Sequence, residues 1–251
     1  MQNIVIEIRN VKKSFESQHV LKDVTLDLTK GENLVIVGKS GIGKSVLVKC
    51  IVRLLKADSG VIKVLGEYVN ALDNDALNEL RKKIGFLFQG GALYDSMTVK
   101  ENLEFPLKRI HRGLKRAEID QKVKEALEQV GLLDALNKMP SQLSGGMCKR
   151  ISVARTIIVN PQIMLYDEPT AGLDPVTSSE ISTLINDVQK KYNTSSIIIT
   201  HDIECARITA NRVIMLEDGT VYKEGSIESF ETSRDSLIMS YFNPSSNPTH
   251  Y

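Results

Sequence analysis

The chain has 251 residues, 42% of them apolar and 25% charged, which is enough for one large domain or for one domain with an inserted lobe. Its 32 basic and 31 acidic residues leave a net charge of +1, which excludes a dominant basic field for nucleic acid and leaves only a local patch open. The three cysteines lie far apart with no CxxC pair, so we expect unpaired thiols in a reducing compartment.

The first residues, MQNIVIEIRN, lack the basic and then apolar pattern of a secretory signal. No apolar run reaches the roughly 18 residues that a membrane-spanning helix needs. We therefore expect a soluble intracellular protein whose role at a membrane would depend on a partner chain.

The first third of the chain is predicted to be rich in β-strands. Short β-branched runs, separated by turn residues, lie at residues 4–10, 24–29 and 33–38. Helical spacing replaces them at residues 46–55, after a glycine-rich turn. Further strands are predicted within residues 58–66 and at 84–88.

The middle of the chain, from about residue 98 to 160, is mostly helical in character. Four apolar side chains of residues 117–130 share one helical face, and we interpret them as core: Ile119, Val123, Leu127 and Val130. After residue 160 strands and helices alternate, with strands predicted at 163–168, 195–200 and 213–216. This alternation predicts an α/β fold with a mainly parallel core sheet, into which the helical region is inserted.

We expect one domain over residues 1–251. A catalytic core would comprise 1–90 and 160–225, a helical subdomain 91–159, and a C-terminal helix with a loose tail 226–251. Apolar residues in this last segment indicate docking on the same chain, on a second copy or on a regulator: Leu237, Ile238, Met239, Tyr241 and Phe242.

The segment GKSGIGKS, residues 38–45, follows the apolar strand LVIV and opens a helix, which is the context of a phosphate-binding loop. Its glycines let backbone N–H groups turn toward an anion, and the helix N-terminus adds partial positive charge. Lys44 can reach the β- and γ-phosphates, and the Ser45 hydroxyl can ligate Mg²⁺. The alternative is a chance glycine-rich turn with a surface lysine. We predict that a nucleoside triphosphate binds here, to Gly38, Lys39, Ser40, Gly41, Ile42, Gly43, Lys44, Ser45 and Val46.

The segment IMLYDE, residues 163–168, is an apolar strand that ends in two acids. Parallel sheets place ligand groups at the carboxyl ends of their strands. We predict that Asp167 helps to hold Mg²⁺ and that Glu168 is the general base that polarises the attacking water. The alternative for this pair is a solvated turn or a helix cap.

The order of these motifs resembles the nucleotide-binding domain of an ABC ATPase. The phosphate loop is followed by LSGG at 143–146, by the strand that ends in Asp-Glu, and by ITHD at 199–202. The resemblance implies a P-loop NTPase fold with an N-terminal antiparallel β part and an inserted helical subdomain. It also implies a homodimer in which Ser144, Gly145 and Gly146 of one copy close over ATP held by the other. An isolated Ser-Gly-Gly would instead be a turn with a helix cap.

The resemblance implies further roles at single positions. Phe15 would stack on adenine, although it could be a core phenylalanine. Gln89 would sense Mg²⁺ and water and link to the membrane subunit. Asp174 would belong to a loop that signals across the dimer. His201 would contact the γ-phosphate, although a histidine at a strand end can be structural. Val46 departs from the family pattern, which often has a second hydroxyl residue there.

A narrower resemblance rests on Met147, on the basic pair after it, and on FQGGALYDSMTVKENLEFPL at 88–107. These features are similar to the ATPases of lipid-asymmetry (Mla, or Mce-associated) transporters. That likeness implies phospholipid cargo, a membrane permease, an Mce-domain lipid-binding partner and in some systems a STAS-domain regulator. It places the chain at the cytoplasmic face of a bacterial inner membrane.

Two alternatives stay open at this point. The chain could serve an ABC importer or exporter for a small polar solute, because the ATPase motifs do not distinguish cargo. A soluble DNA-maintenance or ribosome-associated ABC protein is disfavoured, because residues 90–142 are too few for a long coiled coil and the chain has one cassette. We expect no nucleic-acid partner.

Overall fold

The computed structural model describes residues 3–91, 93–111 and 113–242. The chain divides into two compact units: one comprises residues up to Leu72 together with those from Ser195 onward, and the other is Asp73–Thr194. This division differs from the predicted boundaries, since it groups the strands near residues 84 and 163 with the helices between them. The predicted loose end of the tail, after residue 242, lies outside the described residues.

Ten strands and nine α-helices occur among the described residues. In chain order they are β1 (Ile4–Phe15), β2 (Gln18–Thr29), β3 (Asn33–Val37), α1 (Lys44–Ile51), β4 (Ser59–Val64), β5 (Glu67–Tyr68), α2 (Asn74–Arg81), β6 (Ile84–Leu87), α3 (Val99–Ile110), α4 (Arg116–Gln129), α5 (Gly145–Ile157), β7 (Ile163–Asp167), α6 (Pro175–Tyr192), β8 (Ser195–Ile199), α7 (Ile203–Thr209), β9 (Arg212–Glu217), β10 (Thr220–Gly225), α8 (Ile227–Glu231) and α9 (Ser236–Phe242).

The first unit contains eight strands in the order β5-β4-β1-β2-β10-β9-β3-β8. Strands β8 and β9 flank β3 in parallel register, whereas β1 pairs antiparallel with β2 and β4. All five residues of β3 are buried, which explains its uninterrupted apolar run. The parallel core and the antiparallel N-terminal part agree with the predicted architecture.

Strand β1 is longer than the run predicted at residues 4–10. Val5, Ile6, Ile8 and Val11 are its buried side chains, and the step of three from Ile8 to Val11 breaks the alternation of two. The pairing with β2 shifts between Ile8 and Val11, where Asn10 has a φ of 50°. A bulge therefore resets the alternation, and the strand continues through a segment whose pattern alone does not predict a strand.

Helix α1 differs from the predicted range 46–55 at both ends. It begins at Lys44, within the phosphate loop, and ends at Ile51. Arg53 adopts a left-handed φ of 51°, and the N–H of Leu54 donates to the carbonyl of Lys49 at 2.8 Å. This closing turn ends the helix although the apolar spacing continues.

The second unit contains the parallel pair β6–β7 and the helices α2 to α6. The stripe predicted for α4 is confirmed, because its four apolar residues, at Ile119, Val123, Leu127 and Val130, are all at most 6% exposed. The helical character predicted for residues 98–160 is likewise present in α3, α4 and α5.

The C-terminal helices pack on their own unit. Ile238 and Phe242 are buried, and the ring centre of Phe242 lies 5.3 Å from that of Phe230 in α8. The Tyr222 hydroxyl of β10 donates to Asp235 at 2.7 Å, just before α9. The apolar residues of this segment therefore dock, at least in part, on the same chain.

Candidate functional site

The first unit carries the predicted phosphate loop between β3 and α1. Gly38, Gly41 and Gly43 have φ values of 148°, 81° and 108°. A Cβ at Gly38 would lie 2.5 Å from the carbonyl oxygen of Leu216, and one at Gly43 would lie 2.8 Å from a Val20 methyl carbon. Only glycine meets both the dihedral and the space requirement at these two positions. The loop is thus shaped by its backbone, as an anion cradle requires.

Positive charge converges on this loop. Gly43 occupies the N-cap of α1, so no side-chain oxygen from the cap competes for the first N–H groups of the helix. The Lys44 ammonium is 4% exposed and donates to the carbonyls of Gly38 and Lys39 at 2.6 and 3.0 Å. Ser45 follows in the first turn. This arrangement fits a phosphate chain with the metal ion it carries.

The parallel register places His201 at the same sheet edge as the loop. Ile36 of β3 pairs with Ile199 of β8, and the N–H of Thr200 donates to the carbonyl of Ile36 at 3.2 Å. Two residues further along each strand lie Gly38 and His201. The imidazole is exposed, and the contact of His201 with a γ-phosphate stays a prediction.

Phe15 ends β1 and pairs with Gln18 across the hairpin. Its ring is 41% exposed, with the Lys13 ammonium 5.3 Å from the ring centre, so it is not a core residue. Val20, two residues beyond Gln18, lies against Gly43. The hairpin that presents Phe15 therefore adjoins the phosphate loop, and the stacking of Phe15 on adenine stays a prediction.

In the second unit, Gln89 follows β6 and the two acids lie at the end of the neighbouring strand β7. Leu87 and Tyr166 form the last pair of the parallel ladder, and Gln89 and Glu168 each follow two residues later. Asp167 and Glu168 are 5% and 9% exposed. Glu168 has a φ of 51°, a conformation that non-glycine residues rarely adopt away from turns and functional sites. The acids thus form a nearly buried pair at a strand end.

A buried lysine lies beside this pair, and the sequence analysis did not assign it a role in the site. The Lys149 ammonium donates to the carbonyl of Gln89, and the side chain is 7% exposed. Burial lowers the pKa of Lys149, an effect that the nearby carboxylates of Asp167 and Glu168 partly oppose. The sequence does indicate that Lys149 is buried, because it is spaced by four residues from Val153, which in turn is spaced by four from Ile157. All three lie on the buried face of α5.

The segment at 144–146 begins α5. The Ser144 hydroxyl caps the helix by accepting from the N–H of Met147 at 3.2 Å, and its proton is still available to donate. A Cβ at Gly146 would lie 2.5 Å from a Thr177 methyl carbon, so packing against α6 requires this glycine. Asp174 caps α6, and its bonds to Thr177 lower the pKa of its carboxyl group. These residues are ordered by their own helices, and their predicted roles across a dimer stay predictions.

The segment after Gln89 is organised by Asn102, which is fully buried in α3. Its side-chain amide accepts from the N–H of Tyr94 at 2.8 Å and donates to the carbonyls of Tyr94, Met97 and Thr98. Tyr94 is 39% exposed, packs edge-on against Phe105 and lies 4.6 Å below the Arg155 guanidinium. Asn102 therefore holds an aromatic side chain at the surface.

An open groove of about 200 Å³ lies nearby in the same unit. We call it the β6–α5 groove, and its lining includes Phe86, Phe88, Pro106, Arg155, Thr156 and Val159. Phe88 is 38% exposed and stacks on Phe86 with ring centres 4.1 Å apart. Exposed aromatic residues around a concave surface are typical of a docking site.

Two classes of site are not found among the described residues. No three His, Cys, Asp or Glu side chains are grouped so that they could hold a metal ion by themselves. No helix in the described ranges is long and apolar enough to cross a membrane.

Comparison with known proteins assigns the family. The profile of the ABC transporter family matches residues 21–171, and this chain belongs to that family. The structure is similar to the ATP-binding cassette MJ0796 bound to ADP and Pi, with a TM-score of 0.81 and 35% identity over 88% of this chain and 98% of that one. It is also similar to cbiO1 from Clostridium perfringens, described as part of the complex cbiONQ, with a TM-score of 0.84 and 28% identity over 97% of both chains. The fold is thus that of an ABC-type ATPase, as predicted.

Curated relatives carry transport names. The methionine import ATP-binding protein MetN of Brucella abortus (strain 2308) is 38% identical over 223 residues, which cover 89% of this chain and 60% of that protein. The probable ribonucleotide transport ATP-binding protein mkl of Mycobacterium leprae (strain TN) is 38% identical over 240 residues, 96% of this chain and 69% of that protein. The chain thus spans about three fifths to two thirds of the length of these relatives.

Proposed function

We propose that this chain binds and hydrolyses Mg-ATP to drive a membrane permease. Glu168 is the observation that carries the proposal, because a nearly buried carboxylate that directly follows β7 suits a general base. In the proposed step Glu168 accepts a proton from water as the water oxygen attacks the γ-phosphorus, and ADP leaves. His201, which follows β8, would contact the γ-phosphate.

The phosphate loop supplies the substrate contacts in this proposal. Backbone N–H groups of residues 38–43 and the Lys44 ammonium bind the phosphates, while Phe15 stacks on the adenine. Val46 lacks the hydroxyl that many members of the family have at this position, so one contact with the phosphates is missing while the phosphate loop keeps its shape. Mg²⁺, when bound, neutralises phosphate charge, and the residues that fit it are Ser45, Gln89 and Asp167.

The second element of the proposal is a homodimer. The exposed cap of α5 offers the Ser144 hydroxyl, two glycines and a helix N-terminus that can approach a γ-phosphate on a second copy. A dimeric structure of MJ0796 supports this assembly by family likeness.

The permease is the third element. Tyr94 and the β6–α5 groove present exposed aromatic surface on both sides of Gln89 in the chain, so a permease bound there can influence the acids through β6. The cbiO1 relative is described as part of a transporter complex, which supports such a partner. The chain would then sit at the cytoplasmic face of a bacterial inner membrane, held by the permease.

For the cargo we propose a small polar solute. Relatives named for methionine import and for ribonucleotide transport support this class, because methionine and ribonucleotides are both small polar molecules. The lipid interpretation predicted from sequence is therefore the less supported of the two.

A second candidate, phospholipid transport with an Mce-domain partner and a STAS-domain regulator, rests on Met147 and the run 88–107. In the structure the backbone N–H of Met147 takes part in the cap of α5. Ala92 of that run lies outside the described residues.

Co-purification from the native host tests both cargo proposals. The tagged chain is extracted from membranes in mild detergent, and its associated proteins and lipids are identified by mass spectrometry. A permease with a solute-binding protein and no enriched lipid supports the polar-solute proposal. A permease with an Mce-domain protein and enriched phospholipid contradicts it and supports the second candidate.

A further inference from the structure

Lys149 lies on the buried face of α5, where a charged side chain lowers stability. It lies one turn into α5 on the face shared with Val153 and Ile157, and all three are at most 7% exposed. Burying an ammonium group is unfavourable unless it is hydrogen-bonded and compensated by opposite charge. The partners of Lys149 therefore indicate why the residue is there.

Those partners belong to two different segments of the site. The ammonium donates to the carbonyl of Gln89, which follows β6. Its charge interacts favourably with the carboxylates of Asp167 and Glu168, which end β7. One side chain thus links the backbone of one strand end to the acids of the next.

The strand register shows what this link controls. Leu87 and Tyr166 form the last pair of the β6–β7 ladder, so the Gln89 backbone lies beyond the hydrogen-bonded part of β6. Beyond the last ladder pair, the loop at Gln89 needs another constraint to stay near the acids. The bond from Lys149 is such a constraint, and it originates from the helix that Ser144 caps.

We infer that Lys149 is a positioning residue for hydrolysis, which holds the Gln89 backbone beside Asp167 and Glu168 and thereby links the start of α5 to the acid pair. It acts through Gln89 and Glu168 and does not itself touch ATP. This inference rests on the proposed ATP hydrolysis. The opposing view is that Lys149 contributes only to stability.

The test compares the Lys149→Met and Lys149→Arg variants of the full chain. Methionine has a similar length without donors or charge, whereas arginine retains both. We expect Lys149→Met to lower kcat about 10- to 100-fold, as loss of positioning does, with the KM for ATP within about twofold of wild type. Lys149→Arg should recover most of the lost kcat. Lys124→Met, at an exposed site on α4, is the matched control.

Hydrogen exchange supplies a readout that does not depend on turnover. Amides of residues 89–91 should exchange faster in Lys149→Met without nucleotide, while peptides from α4 stay unchanged. Wild-type kcat in Lys149→Met would overturn the inference, and so would equal losses of kcat and melting temperature in both variants. If wild-type protein does not hydrolyse ATP, the proposed function fails. Unchanged exchange at residues 89–91 in Lys149→Met would then also reject the positioning of the Gln89 backbone by Lys149, which we call the Lys149 clamp.

Discussion

Single residues of the site adopt conformations that sequence patterns do not reveal. The left-handed backbone of Glu168 costs on the order of 1–3 kcal/mol, and such strain persists where the surrounding structure imposes it. Gly146 shows the opposite situation: packing against Thr177 accounts for it without any ligand. An unusual residue in this site can therefore reflect either a functional constraint, as at Glu168, or packing, as at Gly146.

Tyr166 provides a stability prediction at the residue scale. Its hydroxyl is fully buried in β7 without a hydrogen-bond partner in the part of the chain that the structure describes, and burial raises the pKa of Tyr166. An unpaired buried hydroxyl costs about 1–3 kcal/mol. We expect Tyr166→Phe to raise the free energy of unfolding by about 1 kcal/mol in urea denaturation.

The control for this change is Tyr222→Phe, which removes a hydroxyl that donates to Asp235. That variant should leave stability unchanged or lower it slightly. A loss of stability in Tyr166→Phe would show that the hydroxyl is satisfied in solution.

At the scale of elements, an ion-pair network joins strands of the first unit. Arg212, at the start of β9, donates to Glu32 through Nε and Nη2 at 2.7 and 3.0 Å and to the carbonyl of Asp27 in β2 at 2.7 Å. Burial acts to raise the pKa of Glu32, but bonds from Arg212 and Thr29 outweigh it, so the pKa lies below 4.5. These bonds tie β9 to the loop before β3.

The sign of this shift predicts a pH dependence. A carboxylate whose pKa is lower in the folded state stabilises the fold above its unfolded pKa, and this contribution is lost as pH falls through the folded pKa. Below about pH 4.5 we expect the unfolding free energy of wild type to decrease as the pH is lowered, and that of Glu32→Gln to decrease less. Urea denaturation across this range measures both, and parallel curves would show that Glu32 is not coupled to folding.

The segment held by Asn102 provides a second prediction at the scale of elements. A buried charge at a central aromatic contact opposes binding, so Tyr94→Asp should weaken association with the permease by about 2 kcal/mol, roughly 30-fold. Co-purification of tagged variants with membranes measures this loss. Tyr68→Asp, at an exposed tyrosine of β5, is the matched control. Equal recovery of permease with both variants would place the docking surface elsewhere.

Across the whole molecule, the features set by local chemistry could be predicted. The phosphate loop, the acids after β7 and the stripe on α4 follow from spacing and from strand–loop–helix order. The full length of β1 could not be predicted, because the bulge at Asn10 interrupts the alternation. The Lys149 clamp depends on contacts among three segments distant in sequence, and spacing indicates only that the residue is buried.

For the whole molecule, we propose that the chain is an ATPase whose turnover depends on Glu168. The most direct measurement is the ATP affinity and steady-state hydrolysis rate of wild type, Glu168→Gln and the exposed control Glu79→Gln. We expect wild type and control to hydrolyse ATP alike, and Glu168→Gln to retain affinity while losing about 10²-fold or more in kcat, as loss of a general base predicts. Near-wild-type turnover in Glu168→Gln would contradict the account.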